Sequence, residues 1–127
     1  MSDRLANAIV EKLKQSSLAR ADKNNILLFS DTDIVPDAPY ITVKPEIGTN
    51  EGIRNYRIIV HHKEGAFDIL EDFVLKELDQ LLLGGIDDSD GSRYKLFPSG
   101  LTDIMPEGYD NTYFMERIYS VPLTVRF

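Results

Sequence analysis

Apolar residues recur at every fourth position near the start of the chain, at Leu5, Ile9 and Leu13, with Ala6 and Val10 widening the stripe. That spacing predicts an amphipathic first helix, with Ser2 as its N-cap and an end near Ser16-Ser17. After a polar stretch from Arg20 to Asn25, the run Ile26-Leu27-Leu28-Phe29 suits a first strand. Two prolines and three aspartates make Asp31 to Pro39 a loop, and Tyr40-Ile41-Thr42-Val43 then favours a second strand through its β-branched and aromatic side chains. Beyond the glycine-punctuated segment Gly48 to Gly52, residues Tyr56 to His62 read as a third strand, hairpin-paired with the second.

Ala66 to Leu83 carries the strongest helical signal, with Asp68, Glu71 and Asp72 near its start and Gly84-Gly85 as its stop. At 100° per residue, Phe67, Leu70, Val74, Leu78 and Leu81 form the stripe expected to pack on the sheet. Ile69 and Phe73 fall on one flank, Leu75 and Leu82 on the other, so the apolar arc is wider than one sheet contact requires. A segment of the same chain or a partner surface must cover the excess.

An acidic turn from Ile86 to Ser92 leads to candidate strands at Arg93 to Phe97 and around Leu101 to Met105. The last segment alternates most cleanly: Tyr113, Met115, Tyr119, Val121, Leu123, Val125 and Phe127 share one face, and Glu116, Ser120, Thr124 and Arg126 the other. This is the pattern of a half-buried antiparallel strand, and Pro122 places it at a sheet edge or a bulge at that point. The expected fold is α+β, a mostly antiparallel sheet with two main helices packed on one face, in a single domain over residues 1–127.

Composition narrows the function classes. The 127 residues include no cysteine, which excludes disulfides, thiolate metal sites and thiol nucleophiles. A formal net charge of -7 opposes a phosphate backbone, so sequence-specific nucleic-acid binding is not expected. The N-terminal stretch does not resemble a signal peptide, and runs such as Leu81 to Leu83 are far too short for a membrane span.

The chemical candidates are weak. His61 and His62 are adjacent on a predicted strand, where side chains alternate between faces and cannot readily share a metal ion. Asp87-Asp88-Ser89-Asp90-Gly91-Ser92 resembles part of a calcium loop, but its register puts Ile86 and Phe97 at ligand positions. Ser99, a histidine and Asp103 could be drawn as a hydrolase triad, yet Pro98-Ser99-Gly100 is not a nucleophile elbow. No catalytic, cofactor or metal residues are therefore assigned, and a non-enzymatic binding role is expected. The residues assigned to subunit or partner contacts are Ile69 and Phe73 on the helix flank, with Asn50, Glu51, Tyr109, Asn111 and Thr112 in two polar loops.

The order of elements resembles the tail terminator family of long-tailed bacteriophages, also described as head-tail joining or minor tail protein U-like proteins. The likeness lies in Ala38-Pro39-Tyr40-Ile41-Thr42-Val43, Tyr56-Arg57-Ile58-Ile59-Val60, the helix from Ala66 to Leu83 and the closing Ile118 to Phe127. It spans nearly the whole chain as a pattern and carries over no functional residue. The resemblance implies a ring, typically of six copies, that caps the tail tube and meets the head connector, located in the virion or in the host bacterial cytoplasm during assembly. The acidic charge suits a ring through which DNA slides. The alternatives are another phage neck or connector component, or a monomeric adaptor or ligand-binding domain.

Overall fold

A computed structural model describes residues 4–31, 35–46, 52–63, 71–108 and 111–122. It is an α+β fold. Helix α1 (Arg4–Leu13) is followed by β1 (Ile26–Leu28), a short 3-10 turn (Phe29–Asp31), β2 (Tyr40–Glu46) and β3 (Ile53–Lys63). A second helix, α2, is described over residues 71–82; it is π-helical over Phe73–Leu78 and α-helical over Asp79–Leu82. The remaining strands are β4 (Ile86–Asp87), β5 (Arg93–Tyr94), β6 (Phe97–Leu101), β7 (Met105–Pro106) and β8 (Thr112–Pro122).

The main sheet runs β1-β2-β3-β8-β6, with β7 also on β8, and β4 and β5 form a separate small ribbon. All pairs in the main sheet are antiparallel except β1 with β2. The expected hairpin of β2 and β3 is present, and β8 lies along the full length of β3, with Ile53 opposite Pro122 and Lys63 opposite Thr112. The described part of β6 begins its pairing with β8 at Ser120, so Pro122 lies beyond that ladder, where its missing amide donor breaks no bond to β6. The strand expected around Leu101 to Met105 is instead two pieces separated by residues 102–104, and the one expected at Arg93 to Phe97 is divided between β5 and β6.

Strand pleating sorts the side chains. Ile41 and Val43 on β2, Tyr56, Ile58 and Val60 on β3, and Met115, Tyr119 and Val121 on β8 face the helices and are buried there. Leu5, Ala6, Ile9, Val10 and Leu13 of α1 and Phe73, Val74, Leu78 and Leu82 of α2 complete the same core. Of the wide apolar arc of α2, Phe73 and Leu82 are buried within the chain, where the helix meets α1 beside it as well as the core face of the sheet; Ile69 and the Leu75 side chain lie outside the described structure. Phe73, expected at a subunit contact, is a core residue with 5% of its surface exposed. Leu82, expected on the flank, is fully buried, whereas Leu81 of the expected stripe is only partly so. The wider π turn explains that exchange, because underwinding rotates every later side chain away from its position in an α-helical projection.

Polar side chains tie the layers together. Glu77 of α2 accepts hydrogen bonds from the Ser17 amide at 2.5 Å and the Ser17 hydroxyl at 2.6 Å, fixing the end of the α1 region to α2. Buried Asn25 donates to the carbonyls of Leu18 at 2.7 Å and Pro39 at 2.9 Å and accepts from the Arg20 amide at 3.0 Å. It therefore joins the approach to β1 to the approach to β2 across the one parallel junction. Leu78 is fully buried at the centre of the helix–sheet contact. Leu78→Ala should lower the unfolding free energy by roughly 2–5 kcal/mol, measured by urea denaturation, with the native circular dichroism spectrum retained.

Candidate functional site

With both helices on one side, the opposite side of the sheet collects the alternate residues of β2, β3 and β8. Register places Tyr40, His61, Phe114 and Met105 in one row across this helix-free face, and Lys44, Arg57, Ile118 and Gly100 in another. The Tyr40 and His61 rings stack at 4.0 Å with planes 6° apart, and Phe114 lies tilted 6.4 Å from His61. Arg57 binds Glu46 of β2 on one diagonal and Glu116 of β8 on the other, two cross-strand ion pairs sharing one guanidinium. Ser120 donates to Asn55 at 2.7 Å.

His61 is the most chemically suggestive residue of this face. Its Nδ1 lies 2.6 Å from Glu107 Oε1, and its Nε2 lies 3.2 Å from Thr42 Oγ1. The order hydroxyl, imidazole, carboxylate has the form of a nucleophile, its base and an orienting group. Burial pushes His61 below the ordinary histidine value, although Glu107 and Glu116 pull it back upward. In the neutral ring Nδ1–H donates a hydrogen bond to the Glu107 carboxylate, which leaves Nε2 to accept one from the Thr42 hydroxyl. Thr42, however, is only 2% exposed, so its hydroxyl is closed to a substrate in this conformation. The described cavities lie on the other side of the molecule; the largest, about 460 Å³, is lined by residues of α1, the end of α2 and the β4–β5 ribbon, including Glu11, Gln80 and Arg93. The Thr42–His61–Glu107 set serves here as a structural network, fastening the segment after β7 onto the sheet.

A second cluster lies on the helix side. Arg117 occupies a core-facing position of β8 between Met115 and Tyr119, where its guanidinium meets Asp79 of α2 through Nε at 3.2 Å and a second nitrogen at 3.0 Å. The Tyr119 hydroxyl donates to the same carboxylate at 2.5 Å. Burial first, and then the neighbouring Asp79 charge, hold the Tyr119 hydroxyl well above the ordinary phenol range, so it remains a donor. Asp79 thus clasps α2 to the centre of β8.

The residues assigned to contacts from sequence do not form one patch. Ile69, Asn50, Glu51 and Tyr109 lie outside the described residues. Asn111 is exposed, with a left-handed φ of 52° in the turn before β8, while Thr112 is buried at the start of that strand, opposite Lys63. His62, on the opposite strand face to His61, takes no part in its network, and among the described residues no group of three or more His, Cys, Asp or Glu could hold a metal ion. The acidic turn uses its carboxylates locally: Asp88 accepts from the amides of Asp90 and Ser92, Asp90 pairs with Arg4, and Asp87 pairs with Arg93. Ser99 donates to the Ile118 carbonyl at the bulge of β6.

Sequence reading passed over Arg117, Asp79, Arg57 and the exposed apolar residues of the last strands before β8, and it placed Glu46 and Glu107 in the contact loops Glu46 to Gly52 and Glu107 to Thr112, whereas they bind Arg57 and His61 of the same chain. A signal existed for Arg117, a charge inside an alternating apolar face, which demands a buried partner. Another lay in Arg57, a cation in a strand flanked by acidic residues on both neighbours. The family models contain no match to this chain, and no curated protein is detectably similar to it in sequence.

Two outcomes follow. Asp79→Ala strands the Arg117 guanidinium, which is 14% exposed, and should cost on the order of 2–4 kcal/mol in urea unfolding, less than for a fully dry pair because the pair retains some solvent. The double replacement Asp79→Leu with Arg117→Met should recover much of that loss. For His61, the unfolded chain takes up a proton near 6.5 while the native ring stays neutral to lower pH. The unfolded state therefore binds more protons, and stability falls as pH drops below about 6.5 until the native ring itself titrates. Urea midpoints at pH 7.5 and 5.5 should show a drop that is reduced in His61→Gln; burial also lowers His62, so His62→Gln supplies the companion measurement.

Proposed function

We propose that this protein is a non-enzymatic assembly component of a long-tailed phage or prophage-derived particle, forming a ring of its own copies, typically six, that caps the tail tube and joins it to the head connector. The observation that carries the reading is the position of the exposed apolar side chains. Phe97, Leu101 and Met105 lie on β6 and β7 at one end of the sheet, and Phe29 and Val35 lie on and after the 3-10 turn that follows β1 at the other. Apolar groups at the rims of an open sheet suit contacts with protein rather than enclosure of a small molecule.

The family-like order of elements and the net charge of -7 support the same reading, the charge because a ring around DNA must not hold it. Among the described residues no helix is long and apolar enough to cross a membrane. The proposed locations are the virion and, during assembly, the host bacterial cytoplasm. Light scattering after size exclusion at several concentrations, alone and with purified tail tubes, is the test. The expected result is a closed oligomer or a stable cap on the tubes; a strict monomer that also fails to join the tubes overturns the reading in favour of a monomeric adaptor.

A further inference from the structure

We propose that α2 is a helix with two registers, in which a one-residue ratchet of its first turns moves Phe73 between the core and the surface. The inference is separate from the assembly reading and holds with or without a ring. Its basis is the π segment over Phe73–Leu78. A π turn closes its hydrogen bonds between residues five apart where an α turn closes them between residues four apart, so the segment holds one residue more than a regular helix needs between the same two ends. That surplus residue can be passed along the chain.

Suppose the segment rewinds as α-helix while Leu78 and the residues after it stay in place. Each residue from 72 to 75 then steps into the position that its predecessor holds in the structure. Val74 takes the buried place of Phe73, Leu75 takes the buried place of Val74, and Phe73 takes the exposed place of Asp72, which itself moves to the exposed place of Glu71. The core exchanges apolar for apolar. The run Phe73-Val74-Leu75 makes this possible, because two core positions can be filled by its first two residues or by its last two. A charged residue at either end of that run would leave one register only.

Polar contacts divide the helix at the same point. Glu77 is held by the amide and hydroxyl of Ser17, and Asp79 by Arg117 and Tyr119, so the end of the π segment and the α turn after it are fixed to the α1 region and to β8. Ahead of Glu77, the charged side chains of Glu71, Asp72 and Lys76 reach no other element among the described residues; their one contact is Lys76 with Asp72 at 3.7 Å, within the helix. That pair has the spacing that an α turn brings together, so it survives the rewinding. The start of the described helix is therefore held by apolar packing, which either register supplies. One register stores Phe73, and the other presents it.

The test is thiol labelling of the folded, full-length chain, which has no cysteine of its own. Phe73→Cys, Val74→Cys and Leu78→Cys each place one thiol at a buried position, and each labelling rate is corrected for the variant's global stability by urea unfolding. The ratchet exposes position 73 and keeps 74 and 78 covered, so position 73 should label about tenfold faster than either of the others. Deleting Lys76 removes the surplus residue and should leave a regular α-helix with Phe73 in the core; in that background the labelling of Phe73→Cys should fall to the rate of the other two.

Equal rates at all three positions mean that the thiols are reached only by global unfolding, and they overturn the ratchet. Fast labelling at 73 and 74 alike, with 78 slow, is fraying of the helix start and overturns it as well. So does a folded deletion variant in which position 73 still labels fast. Should the deletion prevent folding, the three rates in the full-length chain settle the question by themselves.

Discussion

Both helices lie against the same face of one sheet, and that asymmetry sets the terms for every other part of the fold. One face can be satisfied by apolar packing against α1 and α2. The other has no helix in the described structure, yet Tyr40, Thr42, Ile59 and His61 on it are buried. Their burial is achieved by lateral means: rings stacked across strands, an arginine held between two glutamates, and a carboxylate that reaches over from Glu107. Polar groups in such a layer are tolerable only when each finds a partner, which makes the network cooperative.

The helix face carries its own exception to apolar packing. Arg117 and Asp79 place opposite charges where β8 and α2 touch, and Tyr119 adds a donor to the same carboxylate. Pairs of this kind contribute little net stability compared with good apolar packing, but they penalise alternative alignments, since a slip of one residue would separate the charges. Here they oppose sliding of α2 along β8, a useful constraint for a helix whose π segment departs from regular packing.

Much of the fold was legible in the chain. The fourfold spacing of Leu5, Ile9 and Leu13, the β-branched runs of β2 and β3 and the alternation of β8 each carried their element, and together they implied a shared core. What was not legible depends on geometry that linear patterns do not encode. Projection as a regular α-helix misassigned Leu81 and Leu82, because a π turn changes the angular step without a sequence mark. Phe73 looked like excess apolar surface because periodicity reports one face at a time, whereas α2 is packed by α1 as well as by the sheet. The His61 network was hidden for a different reason: its three members come from β2, β3 and the end of the β7 segment, and only cross-strand register brings them together.

Asn25 has a consequence for the chemical ageing of the protein. Its amide nitrogen gives both hydrogens to carbonyl oxygens, those of Leu18 and Pro39, at the parallel junction between β1 and β2. Deamidation would exchange that nitrogen for oxygen, almost unchanged in shape but with no hydrogen to give and a negative charge besides. Two attractive contacts would become two repulsive ones in a site from which water is excluded, and the lesion would loosen the sheet at the parallel pair of β1 and β2. Close packing around the side chain restrains the backbone nitrogen from reaching the amide carbon, so the intact fold shields the residue on whose chemistry it depends.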